Sequence, residues 1–193
     1  MPLIFNKNIN NNKIGVWETT ESLRKLEILS DNIGHSHLKS IKRKKEFLSV
    51  RSLLRIIHDE SEIVYNKYGA PELRKKGHIS ISHSNNNSCI IISDKKNGVD
   101  IETISEKALQ SSIRFANDHH LNNITKEKAT LIWCIKESIF KWHQKGNIDF
   151  KKDIIIPKFT IKEKGSLNLM FKNQLVCVNY FKLKDQFLSY FCG

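Results

Sequence analysis

The chain has 193 residues, 39% of them hydrophobic and 27% charged, a composition that excludes disordered, collagen-like and fibrous classes and leaves one ordinary domain or two small halves sharing a core. Lysine and arginine outnumber aspartate and glutamate 32 to 20, for a net charge of +12, which favours anionic partners such as nucleic acid, phosphorylated cofactors or acidic proteins. No apolar run approaches the ~20 residues that span a bilayer, the start has no basic-then-apolar order, and Cys89, Cys134, Cys177 and Cys192 show neither metal-ligand nor disulfide-framework spacing, so the expected setting is a reducing cytoplasm.

Part of the charge is compositional, because Lys outnumbers Arg 26 to 6 while Ile (26) and Asn (18) are also abundant. No repeat or linker divides the chain. The first helix is expected over residues 38–60, with Ser36 as N-cap and Ile41, Leu48, Leu53, Leu54 and Ile57 on a 3.6-residue period. Lys44, Arg51 and Arg55 fall on a neighbouring stripe. Such a stripe is either a solvated face or a phosphate contact, and Glu46 is the single acid between Lys39 and Arg55.

After the Tyr68-Gly69-Ala70-Pro71 punctuation, residues 78–83 alternate with period two and Ser80 and Ser82 share a face. Turn formers then lead into an apolar strand at 88–93, which predicts a hairpin. In Val99-Asp100-Ile101-Glu102 the alternation implies one buried face and one face carrying two carboxylates. The second helix is expected over 125–145, with Ile132, Ile135, Ile139 and Trp142 on its apolar side and Gly146 as its stop. Trp133, Glu137 and Lys141, at i, i+4 and i+8, stack along another face. Short β-rich runs at 154–156, 175–178 and 187–190 complete an α+β fold ending in a mostly antiparallel sheet.

Asp100, Glu102 and Glu137 are the components of a hard-cation site, since Mg²⁺ takes a few carboxylate oxygens and completes its shell with water and phosphate; an exposed edge pair is the competing explanation. His83, at a strand end, suits donation to a phosphate, or is an ordinary surface histidine. His119 and His120 are assigned to solvent or a helix start, and Cys134 to a small apolar role. No P-loop, serine-hydrolase elbow or zinc-protease motif occurs.

Gly98-Val99-Asp100-Ile101-Glu102 followed by Trp133-Cys134-Ile135-Lys136-Glu137-Ser138-Ile139-Phe140-Lys141 resembles the paired signatures of the 4′-phosphopantetheinyl transferases. Tyr68-Gly69-Ala70-Pro71 and Ile81-Ser82-His83-Ser84 are similar to two upstream family segments, so the likeness runs from about Arg51 to Lys141. The length resembles the longer, surfactin-synthetase-activating type. That resemblance implies two similar α/β halves, here 1–97 and 98–193, packed in one pseudo-symmetric monomer with the site at their junction. It implies Mg²⁺-dependent transfer of the phosphopantetheine arm of coenzyme A to a serine of an acyl or peptidyl carrier protein, releasing 3′,5′-ADP. Asp100, Glu102 and Glu137 would hold the metal, Glu137 would be the base, and Lys141 would neutralise phosphate charge. Arg51, His83, Ser82, Lys44, Lys136 and Lys141 would contact coenzyme A. Ala70 stands where the family usually has Lys, and His120 stands near a position often filled by Glu. Neither nucleic acid nor membrane is an expected partner; a non-catalytic basic module holding coenzyme A or nucleic acid is the alternative.

Overall fold

A computed structural model describes residues 2–58 and 62–193. The chain is mixed α and β and divides into two units, residues 1–96 and 97–193. In the first unit, strands β1 (Leu3–Ile9) and β2 (Asn12–Glu18) form a hairpin, followed by helices α1 (Leu23–Leu29) and α2 (Ile41–His58). A small pair, β3 (Ile63–Tyr65) and β4 (Pro71–Leu73), then precedes the hairpin β5 (His78–Ser84) and β6 (Asn87–Ser93). The main sheet is antiparallel in the order β1-β2-β6-β5.

The Asn-rich start is the β1–β2 turn: Asn10 and Asn11 adopt φ of 51° and 65°, a left-handed conformation that Asn tolerates better than other non-glycine residues. Helix α2 begins at Ile41, not 38, because Ser40 rather than Ser36 caps it, its Oγ accepting from Arg43 N at 3.2 Å. The expected last residues, 59 and 60, lie outside the described residues. Val50, Leu53, Leu54 and Ile57 of α2 pack with Trp17, Ile79, Ile90 and Ile92 of the sheet, each aliphatic side chain contributing about 1.5–3 kcal/mol by burial. Gly15 of β2 admits the close approach, since a Cβ there would meet Leu53 Cδ1 at 2.8 Å.

The second unit opens with β7 (Asn97–Thr103), continues through α3 (Glu106–Ser111), a 3-10 turn at 112–114 and the single turn α4 (Asp118–Leu121), and reaches the long helix α5 (Lys126–His143). Strands β8 (Ile154–Ile155), β9 (Lys164–Phe171), β10 (Gln174–Leu183) and β11 (Gln186–Cys192) follow. The sheet order is β7-β11-β10-β9-β8, again antiparallel. Thr125 caps α5, accepting from Lys128 N, and the helix ends at Gln144 in the left-handed conformation (φ 64°), two residues before the expected Gly146. Ile132, Ile135 and Ile139 enter a core with Leu169, Phe171, Val178 and Phe187.

In the first unit the 18-residue α2 is followed by the β5–β6 hairpin, whose β6 pairs with the second strand, β2; in the second unit the 18-residue α5 is followed by the β10–β11 hairpin, whose β11 pairs with the first strand, β7. No described helix is long and apolar enough to cross a membrane.

Candidate active site

On β7 Val99 and Ile101 form the buried face expected of it, and the face carrying the two carboxylates is covered by α5 rather than left as an exposed edge pair. Gly98, Asp100 and Glu102 share the face that α5 covers, so Asp100 is only 2% exposed while Val99 and Ile101 on the opposite face are fully buried. At Gly98 the contact is tight enough that a Cβ would sit 2.0 Å from Ser138 O and 2.5 Å from Trp142 N.

That approach lays the Trp133–Glu137–Lys141 stripe of α5 over the two carboxylates of β7. Trp133 Nε1 donates to Glu102 Oε1 at 3.0 Å, and Lys141 Nζ donates to Asp100 Oδ1 at 2.7 Å. Burial, with the charge of Asp100, raises Glu102 to about 7, against the Trp133 hydrogen bond and the Lys141 charge that pull it down. Glu137 is likewise pushed up to about 7 by burial and by Asp100, with Lys141 opposing. Burial alone would lower the Lys141 ammonium, but the charge of Asp100, its hydrogen bond and Glu137 outweigh that and hold it raised. The result is a cationic lysine among three carboxyl groups, two of which titrate near neutrality.

The donor chemistry, three carboxylates on rigid elements, suits a hard divalent cation. Their side chains are not gathered around one point, however: among the described residues no three His, Cys, Asp or Glu side chains are placed to hold a metal. The Trp133 indole engages Glu102 and the Lys141 ammonium engages Asp100 instead.

Beside Glu102 opens a cavity of about 630 Å³ lined by Ala108, Phe115, Trp133, Ile148 and Phe150, with Lys107 and Arg114 among its charged groups. Trp133 lies between two of these rings, with centroids 5.1 Å from Phe115 and 5.3 Å from Phe150. Of these aromatic walls only Trp133 stands out in the sequence, on the helical stripe of Glu137 and Lys141; Phe115 and Phe150 sit in irregular segments with no period to mark them.

In the first unit, Arg51 and His83 line one small cavity of about 150 Å³ together with Phe47 and Tyr65. Arg51 is no member of a solvated stripe: it is 4% exposed, its guanidinium lies 3.4 Å from the Phe47 ring centroid, and its Nε has no acceptor among the described residues. Burial lowers its pKa, with Tyr65 opposing. Phe47 was legible as the i−4 neighbour of Arg51 on α2. His83 is half-buried, with Nδ1 3.1 Å from Ser88 Oγ. Lys44, half-buried two turns before Arg51, does not line this cavity, and Ser82 is buried on β5. Ala70 closes the β3–β4 loop, its N donating to Asn66 Oδ1.

Lys136 is placed differently from the other motif residues. It is fully buried, and its ammonium donates to Phe150 O at 2.5 Å, Ile154 O at 2.6 Å and Asn117 Oδ1 at 3.4 Å. In this position it presents no ammonium to an external phosphate. Burial pushes its pKa down to about 7, against the charge of Asp149. Of the two places expected for His120 the structure gives the helix start, in α4, and not solvent: it is 3% exposed, its Nε2 lies 3.0 Å from Ile156 O, and burial lowers it to about 4. Cys134 is buried as expected, donating weakly to Asp100 O and Phe187 O.

No protein-family model matches the chain, and no curated protein matches it.

The raised carboxyl groups make stability in chelator depend on pH. Glu102 and Glu137 bind protons more tightly when folded (about 7) than unfolded (4.5), so their contribution is greatest below the unfolded value and is lost as pH rises towards and through 7. His120, at about 4 folded against 6.5 unfolded, acts oppositely: its burial costs stability as pH falls below 6.5. A cation that binds the ionised carboxylates isolates the first effect. If the two glutamates hold Mg²⁺, the increase in Tm on adding it is expected to grow between pH 5 and 8, and a gain that is flat across that range would show that they do not.

Proposed function

We propose that this chain is a cytoplasmic, Mg²⁺-dependent 4′-phosphopantetheinyl transferase of the two-half, pseudo-symmetric fold type, moving the arm of coenzyme A to a serine of an acyl or peptidyl carrier protein. The observation that carries the reading is the α5 stripe of Trp133, Glu137 and Lys141 laid on β7, where Trp133 bonds Glu102 and Lys141 bonds Asp100. The ordered sequence motifs and the helix-then-hairpin order common to the two units support it.

Asp100, Glu102 and Glu137 would hold the ion only once their carboxylates draw together from the positions they occupy here, and the ion would then neutralise charge on the diphosphate. Glu137 would accept the proton of the carrier serine as its oxygen attacks the phosphorus. Lys141, kept cationic by Asp100, stabilises negative charge on the phosphate as the 3′,5′-ADP leaving group departs; displacement of this kind is accelerated mainly by position and charge. The buried Arg51 guanidinium and His83 offer groups suited to a further phosphate of coenzyme A. The apolar cavity opening at Glu102 has the room and lining for a pantetheine arm. A net charge of +12 favours encounter with an acidic carrier at low ionic strength.

Incubation of apo-carrier with coenzyme A, Mg²⁺ and the protein should yield a carrier heavier by one phosphopantetheine. Unchanged mass across fatty-acid, polyketide and peptide carriers, with Mg²⁺-independent and salt-sensitive oligonucleotide binding in its place, would overturn the proposal in favour of a non-catalytic basic module.

A further inference from the structure

The segment following α5 carries one of the two aromatic walls beside Trp133, yet most of it has no regular ladder to hold it. Its carbonyls are gripped by side chains from elsewhere in the same unit. Lys136 binds the carbonyls of Phe150 and Ile154; Asn117 Nδ2 donates to Lys151 O at 2.8 Å and to Ile154 O at 3.2 Å. Asn117 Oδ1 accepts from Ile156 N at 3.0 Å, and the Nε2 atoms of His119 and His120 lie 2.8 and 3.0 Å from Ile156 O. Every one of these ties falls between residues 150 and 156, and the first of them is at Phe150, which packs on Trp133 and Phe140 with centroids 5.3 and 5.8 Å apart.

We infer that Lys136 is a positioning residue: with Asn117 it clamps the 150–156 segment so that Phe150 forms the cavity wall against Trp133, and thereby governs what enters the cavity at Glu102. The geometry requires this division of labour. Lys136 lies four residues after Ile132 and three before Ile139, on the stripe of α5 that faces the core, whereas Glu137 is turned by one helical step onto the stripe that meets β7. A fully buried ammonium with three oxygen acceptors is satisfied where it is, and withdrawing it would take this donor from the Phe150 carbonyl and leave Ile154 O held by Asn117 Nδ2. Being an ammonium rather than an amide, it reaches two carbonyls four residues apart with separate N–H groups.

The test rests on the coenzyme A reading for its ligand arm and is independent of it for its exchange arm. In Lys136→Met, hydrogen exchange read by mass spectrometry should accelerate roughly tenfold over residues 150–156 while β9 to β11 keep their protection. Coenzyme A should bind roughly tenfold more weakly, while adenosine 3′-phosphate 5′-diphosphate, which has all three phosphates but no arm, should bind within about twofold of the wild type, since the clamp touches no phosphate. Asn117→Ala should reproduce both changes, and it decides the matter alone if Lys136→Met does not fold. Equal weakening of the two ligands in Lys136→Met would make Lys136 a phosphate contact and overturn the inference, as would unchanged exchange over 150–156. If the wild-type protein binds neither compound, the coenzyme A reading falls, and the exchange result decides the clamp by itself.

Discussion

Replacing Asp100 by Asn is expected to lower phosphopantetheine transfer by roughly 10²- to 10³-fold, the range seen when one preorganised charge-stabilising group is removed from a water-poor site. Asp100 is at once a proposed metal ligand, the partner that keeps Lys141 cationic, and the charge that helps raise Glu102 and Glu137. The amide keeps the shape and loses all three functions. Lys141, whose side chain is 26% exposed, is then left without its ion-pair partner, and unfolding should show a loss of about 2–3 kcal/mol, less than a wholly buried pair would lose. Because the Asp100 charge no longer opposes ionisation of the two glutamates, the acid limb of the residual pH–rate profile should move to lower pH. Combining Asp100→Asn with Lys141→Met should recover much of the stability and none of the turnover. Full activity in Asp100→Asn would end its role in catalysis.

Gly98→Ala should be the most destabilising single-methyl addition in the second unit. A Cβ there would lie 2.0 Å from the Ser138 carbonyl and 2.5 Å from Trp142 N, both backbone atoms of α5, so the helix itself must move off β7. Overpacking against backbone costs about 3 kcal/mol or more, read as a lowered urea midpoint. The displacement would also lift Glu137 and Lys141 from Asp100 and Glu102, so turnover should fall even where the variant remains folded. Gly15→Ala is the control: it sits on the corresponding strand of the first unit, but its new methyl would meet only the end of Leu53, 2.8 Å away. A rotamer change relieves that clash, and the cost should be about 1 kcal/mol. Equal losses in the two variants would show that the closeness of β7 and α5 is not what sets the site.

The α+β class, the two long helices and the β5–β6 hairpin were legible because each rests on a local period: 3.6 residues for α2 and α5, two for His78–Ser84. The stacking of Trp133, Glu137 and Lys141 was legible for the same reason. The β1–β2 hairpin was not, because its asparagine-rich turn reads as low complexity until one sees that Asn10 and Asn11 occupy left-handed positions. The burial of Lys136 is foreshadowed by its spacing from Ile132 and Ile139, whereas the phosphate contact is implied only by the family resemblance; neighbouring residues on a helix point about 100° apart, so Lys136 and Glu137 face different ways.

The sequence by itself determined which side chains share a helix face or strand face, since that depends only on spacing along one element. The tertiary structure alone decided that the carboxylate face of β7 lies under α5, that Phe115 and Phe150 wall a cavity beside Glu102, and that Arg51, His120 and Lys136 are buried. Those outcomes depend on contacts between residues far apart in the chain, where the cost of burying a charge is set by whichever partners the packing brings to it, and no local period records them.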